Sequence, residues 1–383
     1  KAAGLQAGRS HAEDTSDARL GGVAAAGRSR ASSDPADLSD FDVAVVSVPT
    51  PLADGAPDLS YIESAGALLA PHLRPGCCVI LESTTYPGTT EEVFAPVLEE
   101  GSGLRAGPDF RLGYSPERID PGNPAWHLEN TPKVVSGVDA ASLAAVQGFF
   151  DHLVEKTVPV SGCKEAELTK LLENTFRHVN IALVNELAMF AHELDMDVWE
   201  AIDAASTKPF GYMRFVPGPG VGGHCLPIDP SYLSWRVRRT LGHTFRFVEL
   251  ANDVNEHMPD YVVRRVMEHL NERGLAVKGQ RIVLLGMAYK RNTGDARETP
   301  SVPVPRQLRR LGAEVVAVDP HVEDRALPAG VTPGTLDAAL LASAAMAVLL
   351  VDHELFDLDL VTQHAPAVLD CRHVLSGDNV EHL

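Results

Sequence analysis

The chain has 383 residues, enough for two or three domains, and its 45% hydrophobic and 22% charged content is that of a globular protein with packed cores. A net charge of −19 excludes a nucleic-acid or anionic-membrane surface, so an anionic ligand must be met by local lysines, arginines and helix N-termini. Five scattered cysteines, fifteen histidines without ligand spacing, no bilayer-length apolar run and no signal peptide argue against disulfides, a metal centre and a membrane span, and point to the cytoplasm.

Residues 1–35 are rich in Ala, Gly, Arg and Ser and read as the middle of a domain rather than its beginning. Strands and helices then alternate. Residues 42–48 and 78–82 are apolar β-runs, and 59–73 has helical periodicity. Residues 89–100 read as a helix with Thr89 as N-cap and an acidic first turn. Short strands are expected at 111–114 and 133–137. This alternation predicts a parallel, doubly wound sheet. From 164 to 195 the pattern is continuously helical, about 45 Å at 1.5 Å per residue. That length suits a domain connector or a dimer core. A further helix is expected over 247–273. A second α/β unit follows, with strands at 281–286, 314–319, 345–351 and 367–371 and a helix at 302–311. Its strand ends at Gly286 and Asp319 resemble a nucleotide-binding βαβ unit, although Gly-Met-Ala-Tyr-Lys (286–290) stands where GxGxxG would. The fold class is α/β, two parallel-sheet domains flanking a helical middle.

The most chemically pointed segment is Gly-Pro-Gly-Val-Gly-Gly-His-Cys-Leu-Pro-Ile-Asp-Pro, residues 218–230. Gly220, Gly222 and Gly223 remove side chains just before Cys225, so that a bulky ligand could approach the thiol. One helical turn from Cys225 would return the Asp229 carboxylate toward the sulfur. The segment reads as a covalent nucleophile or as a tight turn with a small core cysteine. Lys170 and Asn174, four apart, either hold a developing alkoxide or decorate a solvated face. Glu117 follows a strand end, where it either activates water or belongs to a polar turn. Val48-Pro49-Thr50-Pro51 and Glu82-Ser83-Thr84 also end strands and either line a cofactor cleft or cap helices. Lys290, Arg291, Asp295 and Arg297 form a phosphate grip or a charged loop.

Taken in order, Val48-Pro-Thr-Pro51, Tyr114-Ser-Pro-Glu-Arg118, 165–174, 220–230 and 286–301 resemble the UDP-glucose/GDP-mannose dehydrogenase family of nucleotide-sugar 6-dehydrogenases, over essentially the whole chain. The Tyr-Ser-Pro-Glu-Arg and Gly-Gly-His-Cys spellings look most like the branch that oxidises UDP-GlcNAc or UDP-ManNAc. The UDP-glucose branch usually has serine where this chain has His224. The resemblance implies an NAD-binding Rossmann domain over 1–160, a central helical dimerisation domain over 161–257 and a UDP-sugar-binding Rossmann-like domain over 258–383. It implies a homodimer through the long helix and two NAD-dependent oxidations of a C6 alcohol to a carboxylate.

By motif, Cys225 would capture the aldehyde as a thiohemiacetal and become a thioester, and Glu117 would assist its hydrolysis. Lys170, Asn174 and Asp229 would stabilise oxyanions and move protons, with a water between Lys170 and Asp229 and with Thr84 near that water and the nicotinamide. Lys170 would favour the Cys225 thiolate. The implied cofactor contacts are Val48, Pro49, Thr50, Ser83, Thr84 and Arg297. The implied substrate contacts are Glu117, Arg118, Lys170, Asn174, Phe215, Gly218, Gly222 and Lys290, with no metal. The family's opening strand, GxGYVG turn and acidic strand end have no counterpart here. They amount to about 30 residues or more, so a leader preceding Lys1 is expected. The alternatives are a UDP-glucose 6-dehydrogenase and a nucleotide-sugar-binding protein without a working NAD site. A two-electron hydroxyacid dehydrogenase would not need Cys225.

Overall fold

The computed structural model describes residues 1–383 apart from 11–14, 54, 121–122 and 224–225. The chain divides into two units, Lys1–Glu173 with Ser231–Leu241, and Asn174–Pro230 with Gly242–Leu383.

The first unit opens with two short helices that the sequence pattern does not announce, α1 (Ala2–Gln6) and α2 (Asp17–Ala25). The Ser16 hydroxyl caps α2 by accepting the Arg19 N–H at 3.3 Å. Then come β1 (Val43–Val46), a small hairpin of β2 (Leu52–Ala53) and β3 (Ala56–Pro57), α3 (Ser60–Leu69), β4 (Cys78–Leu81), α4 (Ala95–Ser102) and β5 (Arg111–Tyr114). The parallel sheet has the order β1-β4-β5, with Val43 opposite Cys78 and Cys78 opposite Arg111. Every side chain of β4 is buried, as a parallel strand covered on both faces requires. Val79 and Leu81 pack with Ile62, Phe94 and Leu98 on one face. Cys78 and Ile80 pack with Val146 and Phe150 on the other.

The unit continues through β6 (Lys133–Val135), α5 (Ala140–Phe150) and β7 (Thr157–Pro159) into α6 (Cys163–Glu193). β6 pairs with β7 in parallel. Against β5 the chain runs the other way, since Ser136 N–H donates to the Tyr114 carbonyl and Val138 N–H to that of Leu112. The expected parallel sheet thus has an antiparallel return beside it, and Lys133 is delivered to the carboxyl end of β5.

The expected Thr89 cap is also corrected. Thr89 already has helical dihedrals and caps nothing, and a π-helical turn, Thr90–Phe94, leads into α4. A carboxylate from α6 satisfies the orphan N–H groups instead, as described below.

The second unit contains α7 (Val198–Ser206), α9 (Arg246–Glu272), β8 (Arg281–Leu285), α10 (Pro303–Arg310), β9 (Glu314–Val318), β10 (Thr332–Pro333), α11 (Ala338–Ser343), β11 (Met346–Leu349), α12 (Leu358–His364), β12 (Val368–Asp370) and β13 (Val380–His382). α8 (Asp229–Leu241) intervenes between α7 and α9. All six strands are parallel in the order β10-β9-β8-β11-β12-β13, the doubly wound order with its switch point between β8 and β11. Gly286 ends β8 at φ +90°, and a Cβ there would lie 2.5 Å from that of Val351, so only glycine fits. Among the described residues no helix is long and apolar enough to cross a membrane.

Candidate active site

In the first unit, three loops meet beyond the carboxyl ends of β1, β4 and β5, where open parallel sheets bind ligands. The Ser83 hydroxyl accepts the Val48 N–H at 2.8 Å, which joins two of the cofactor candidates. The Tyr232 hydroxyl donates to the carbonyls of Thr50 and Pro51, the latter at 3.2 Å. Pro49 is exposed, and Thr84 is half-buried one residue beyond Ser83.

Glu167 of α6 is fully buried and holds the next stretch of this loop. Its carboxylate accepts N–H groups from Gly88 at 2.5 Å and Thr90 at 2.8 Å, and the Thr90 hydroxyl at 2.7 Å. Burial pushes Glu167 up to about 7, against the pull of these donors.

Glu117 occupies the loop after β5. Its Oε1 accepts the N–H groups of Arg118 and Ile119, both at 2.7 Å, and its Oε2 meets Lys133 Nζ at 3.0 Å. Lys133 is buried and also donates to Glu82 Oε1 at 2.6 Å. Burial pushes the Glu117 carboxyl up, but the Lys133 ammonium and the two backbone donors outweigh it and hold its pKa below the ordinary value. Lys170 of α6 donates to the Glu117 carbonyl at 2.7 Å. Arg118 is engaged with Glu173 and with the Pro132 carbonyl, both at 2.6 Å.

In the second unit, Asn174 of α6 donates its amide to Asp229 Oδ2 at 2.5 Å, and both side chains are buried. Asp229 is the first residue of α8, and Leu226–Ile228 form a turn. The one-turn relation of Cys225 to Asp229 expected from the sequence involves a residue outside the described ones. Pro230 suits the first turn of a helix but lacks the N–H that a longer helix would need. Cys225 and His224 lie outside the described residues.

The glycine segment is fixed by residues that the sequence pattern does not single out. Gly218 N–H donates to Asn185 Oδ1 at 3.0 Å, and Asn185 donates to Asn255 Oδ1 at 2.9 Å. His178, kept neutral by burial, pairs with Asn252 at 2.8 Å. In the sequence they are isolated polar residues on α6 and α9, which carry no positional signature of their own.

The glycines serve packing. A Cβ on Gly222 would lie 2.5 Å from Pro300 Cδ and 2.8 Å from the Glu298 carbonyl, and one on Gly223 (φ +86°) 2.9 Å from the Tyr289 ring. The expectation of open space for a ligand is corrected on these two sides, which are filled by the protein itself. A cavity of about 550 Å3 opens beside the segment, lined by Val221, Pro227, His178, Asn252, Glu256 and Arg306 among others.

Phe215 packs edge-on against Phe176 at 5.8 Å. Lys290 lies over the Tyr289 ring at 5.8 Å. Arg297 makes a two-pronged pair with Asp295 at 2.8 and 2.7 Å, and Arg291 lies 3.4 Å from Glu354. His269, Glu272 and Glu381 gather within 4.8 Å of one another, but Glu381 is already paired with the buried Arg265, as in an ion-pair network. The other four cysteines are buried, and burial pushes Cys78 and Cys163 up to about 12, which keeps those thiols protonated.

Residues 1–154 match the NAD binding domain of the UDP-glucose/GDP-mannose dehydrogenase family, 164–257 its central domain and 283–377 its UDP binding domain. The chain is 39% identical over 285 residues to protein CapL of Staphylococcus aureus, covering 74% of this chain and 66% of that protein. It is 37% identical over 318 residues to the UDP-N-acetyl-D-glucosamine 6-dehydrogenase of Pseudomonas aeruginosa, covering 80% and 75%. The solved structure of the UDP-D-ManNAc dehydrogenase of Pyrococcus horikoshii superposes with a TM-score of 0.89 at 32% identity, over 99% of this chain and 90% of that one. The chain belongs to the UDP-glucose/GDP-mannose dehydrogenase family of NAD-dependent nucleotide-sugar dehydrogenases.

Proposed function

We propose that the protein converts the C6 hydroxyl of a UDP-N-acetylhexosamine, UDP-GlcNAc or UDP-ManNAc, to a carboxylate through a thioester on Cys225. The observation that carries this reading is the buried pairing of Asn174, on the helix that bears Lys170, with Asp229 of α8, in a chain similar to enzymes named for these two sugars. The proposed domains are 1–160 for NAD, 161–257 for dimerisation and 258–383 for the UDP-sugar, in a cytoplasmic homodimer.

The loops after β1 and β4 fit a dinucleotide. They lie beyond the carboxyl ends of adjacent parallel strands, and the Val48–Ser83 bond fixes one loop on the other. NAD, when bound, accepts the two electrons removed in each oxidation. Val48, Pro49, Thr50, Ser83 and Thr84, with Arg297, are its proposed contacts.

Lys170 and Asn174 stabilise the C6 alkoxide as its proton passes to the Asp229 carboxylate. One N–H of Asn174 is committed to Asp229, which orients the amide and leaves the second N–H for the sugar oxygen. The Cys225 sulfur adds to the aldehyde carbon, and the thiohemiacetal becomes a thioester on losing two more electrons. Glu117 takes a proton from the water that adds to the thioester carbonyl. The C–S bond then breaks, releasing the carboxylate and returning the Cys225 thiol. Arg118, Phe215, Gly218, Gly222 and Lys290 are the proposed remaining sugar-nucleotide contacts.

The test is the yield of NADH per sugar with limiting UDP-GlcNAc, UDP-ManNAc or UDP-glucose. Two NADH per N-acetylhexosamine, with UDP-glucose inert, is the expected outcome, whereas one NADH would refute the thioester route. Cys225→Ala should still bind UDP-sugar while acid formation drops at least about 1000-fold. Undiminished acid formation would remove Cys225 from the reaction.

A further inference from the structure

The family assignment leaves one buried cluster unexplained, the carboxylate–ammonium–carboxylate series Glu82–Lys133–Glu117. The Lys133 side chain is 3% exposed, and its ammonium lies 2.6 Å from Glu82 Oε1 and 3.0 Å from Glu117 Oε2. The Phe150 ring closes another side at 5.1 Å. A buried ammonium holds its charge only against such partners. Glu82 follows β4 directly before Ser83, Glu117 follows β5, and Lys133 begins β6. The cluster therefore ties the proposed cofactor loop to the proposed hydrolysis loop.

A carboxylate has about four acceptor positions, two on each oxygen. On Glu117, Oε1 gives both to the N–H groups of Arg118 and Ile119, and Oε2 gives one to Lys133. Among the described residues a single position remains, on Oε2 beside the ammonium. The other charged neighbours do not take it. Lys170 donates to the backbone carbonyl of Glu117, and the Arg118 guanidinium is engaged with Glu173.

We propose that Lys133 is a positioning residue for the hydrolysis step, which holds Glu117 so that one lone pair of Oε2 is presented to water, with Glu82 as its counter-charge. The inference rests on the reading of Glu117 as the base for thioester hydrolysis. The Lys133 ammonium is buried between the Glu82 and Glu117 carboxylates, so its effect is read through Glu117.

The experiment follows decay of the Cys225 adduct by quenched intact mass during turnover of UDP-GlcNAc with NAD, as a function of pH. Wild type is compared with Lys133→Met, Lys133→Arg, Glu82→Gln and Glu117→Gln. Glu117 works as a carboxylate, so hydrolysis fails below its pKa. Removing an adjacent cation raises a carboxyl pKa by about 1–3 units. Lys133→Met should therefore move the acid limb of hydrolysis up by about one unit or more, slowing decay at least about tenfold on the acid side. Lys133→Arg should restore most of the profile. Glu82→Gln leaves the ammonium uncompensated and should move the limb down, and it tests the proposal even if Lys133→Met does not fold.

Limbs that coincide with wild type in Lys133→Met and Glu82→Gln, or rates lowered equally at every pH, would overturn the proposal. If Glu117→Gln traps the adduct while those limbs stay fixed, the role of Lys133 alone fails. If Glu117→Gln clears the adduct at the wild-type rate, the reading of Glu117 fails and the proposal falls with it.

Discussion

Glu167 is a fully buried carboxylate with three donors, and its titration should be felt in stability. Burial raises it from 4.5 to about 7. A group raised in the folded state stabilises fully below its unfolded pKa, and that contribution is lost as pH rises through the folded value. The window here runs from about 4.5 to about 7, with at most about 3 kcal/mol at stake. Glu167→Gln is neutral throughout. The stability advantage of wild type over this variant should shrink between pH 5 and pH 8 in thermal melts, and a constant gap would show that Glu167 does not titrate there. The residues visible in the sequence were those with a positional signature, such as Glu117 after a strand and Lys170 and Asn174 four apart on a helix. Glu167 and Lys133 carry none. A lone charge in a mixed pattern reads as solvent-facing, and only the surrounding fold reveals that its partners are loop N–H groups and carboxylates.

The glycine segment shows how an element can be specified from outside. Gly223 has φ +86°, and the Tyr289 ring stands 2.9 Å from any Cβ built on it. Gly223→Ala should cost on the order of 2–4 kcal/mol, combining left-handed strain with overpacking. Urea unfolding measures this, and a loss below about 0.5 kcal/mol would mean that Tyr289 swings aside without penalty. Apolar strands such as β4, β8 and β11 were legible because burial on both faces writes itself as an unbroken hydrophobic run. The helices α5, α7 and α8 were not. α7 is short, α5 is rich in alanine, and α8 begins at a proline-flanked aspartate that reads as loop. The start of the helix at 89–100 was misjudged because its acceptor, Glu167, comes from 77 residues further on.

On the scale of the whole molecule, α6 carries two faces. Leu168, Leu172, Phe176, Leu183, Leu187 and Phe190 are 41–62% exposed. At about 100° per residue they fall within one arc of about 100°. An apolar stripe of this length on the surface of a single copy marks an interaction face. Leu183→Glu should convert a dimer into monomer by sedimentation, and a wild-type protein that sediments as monomer would remove the dimer from the proposal. The strands of the two parallel sheets and the long helix between them in the sequence were readable from alternation and helix length. The assembly was read from family resemblance, since a lone sequence does not say which apolar face of a helix is left uncovered. Glu167, Lys170, Asn174, His178 and Asn185 share the opposite arc of the same helix, about 200–280° on that scale. A single codon gained or lost between Leu168 and Asn185 would turn everything downstream by about 100°. Both stripes would then be broken at once, so the gene can vary in length in its loops but not through this stretch.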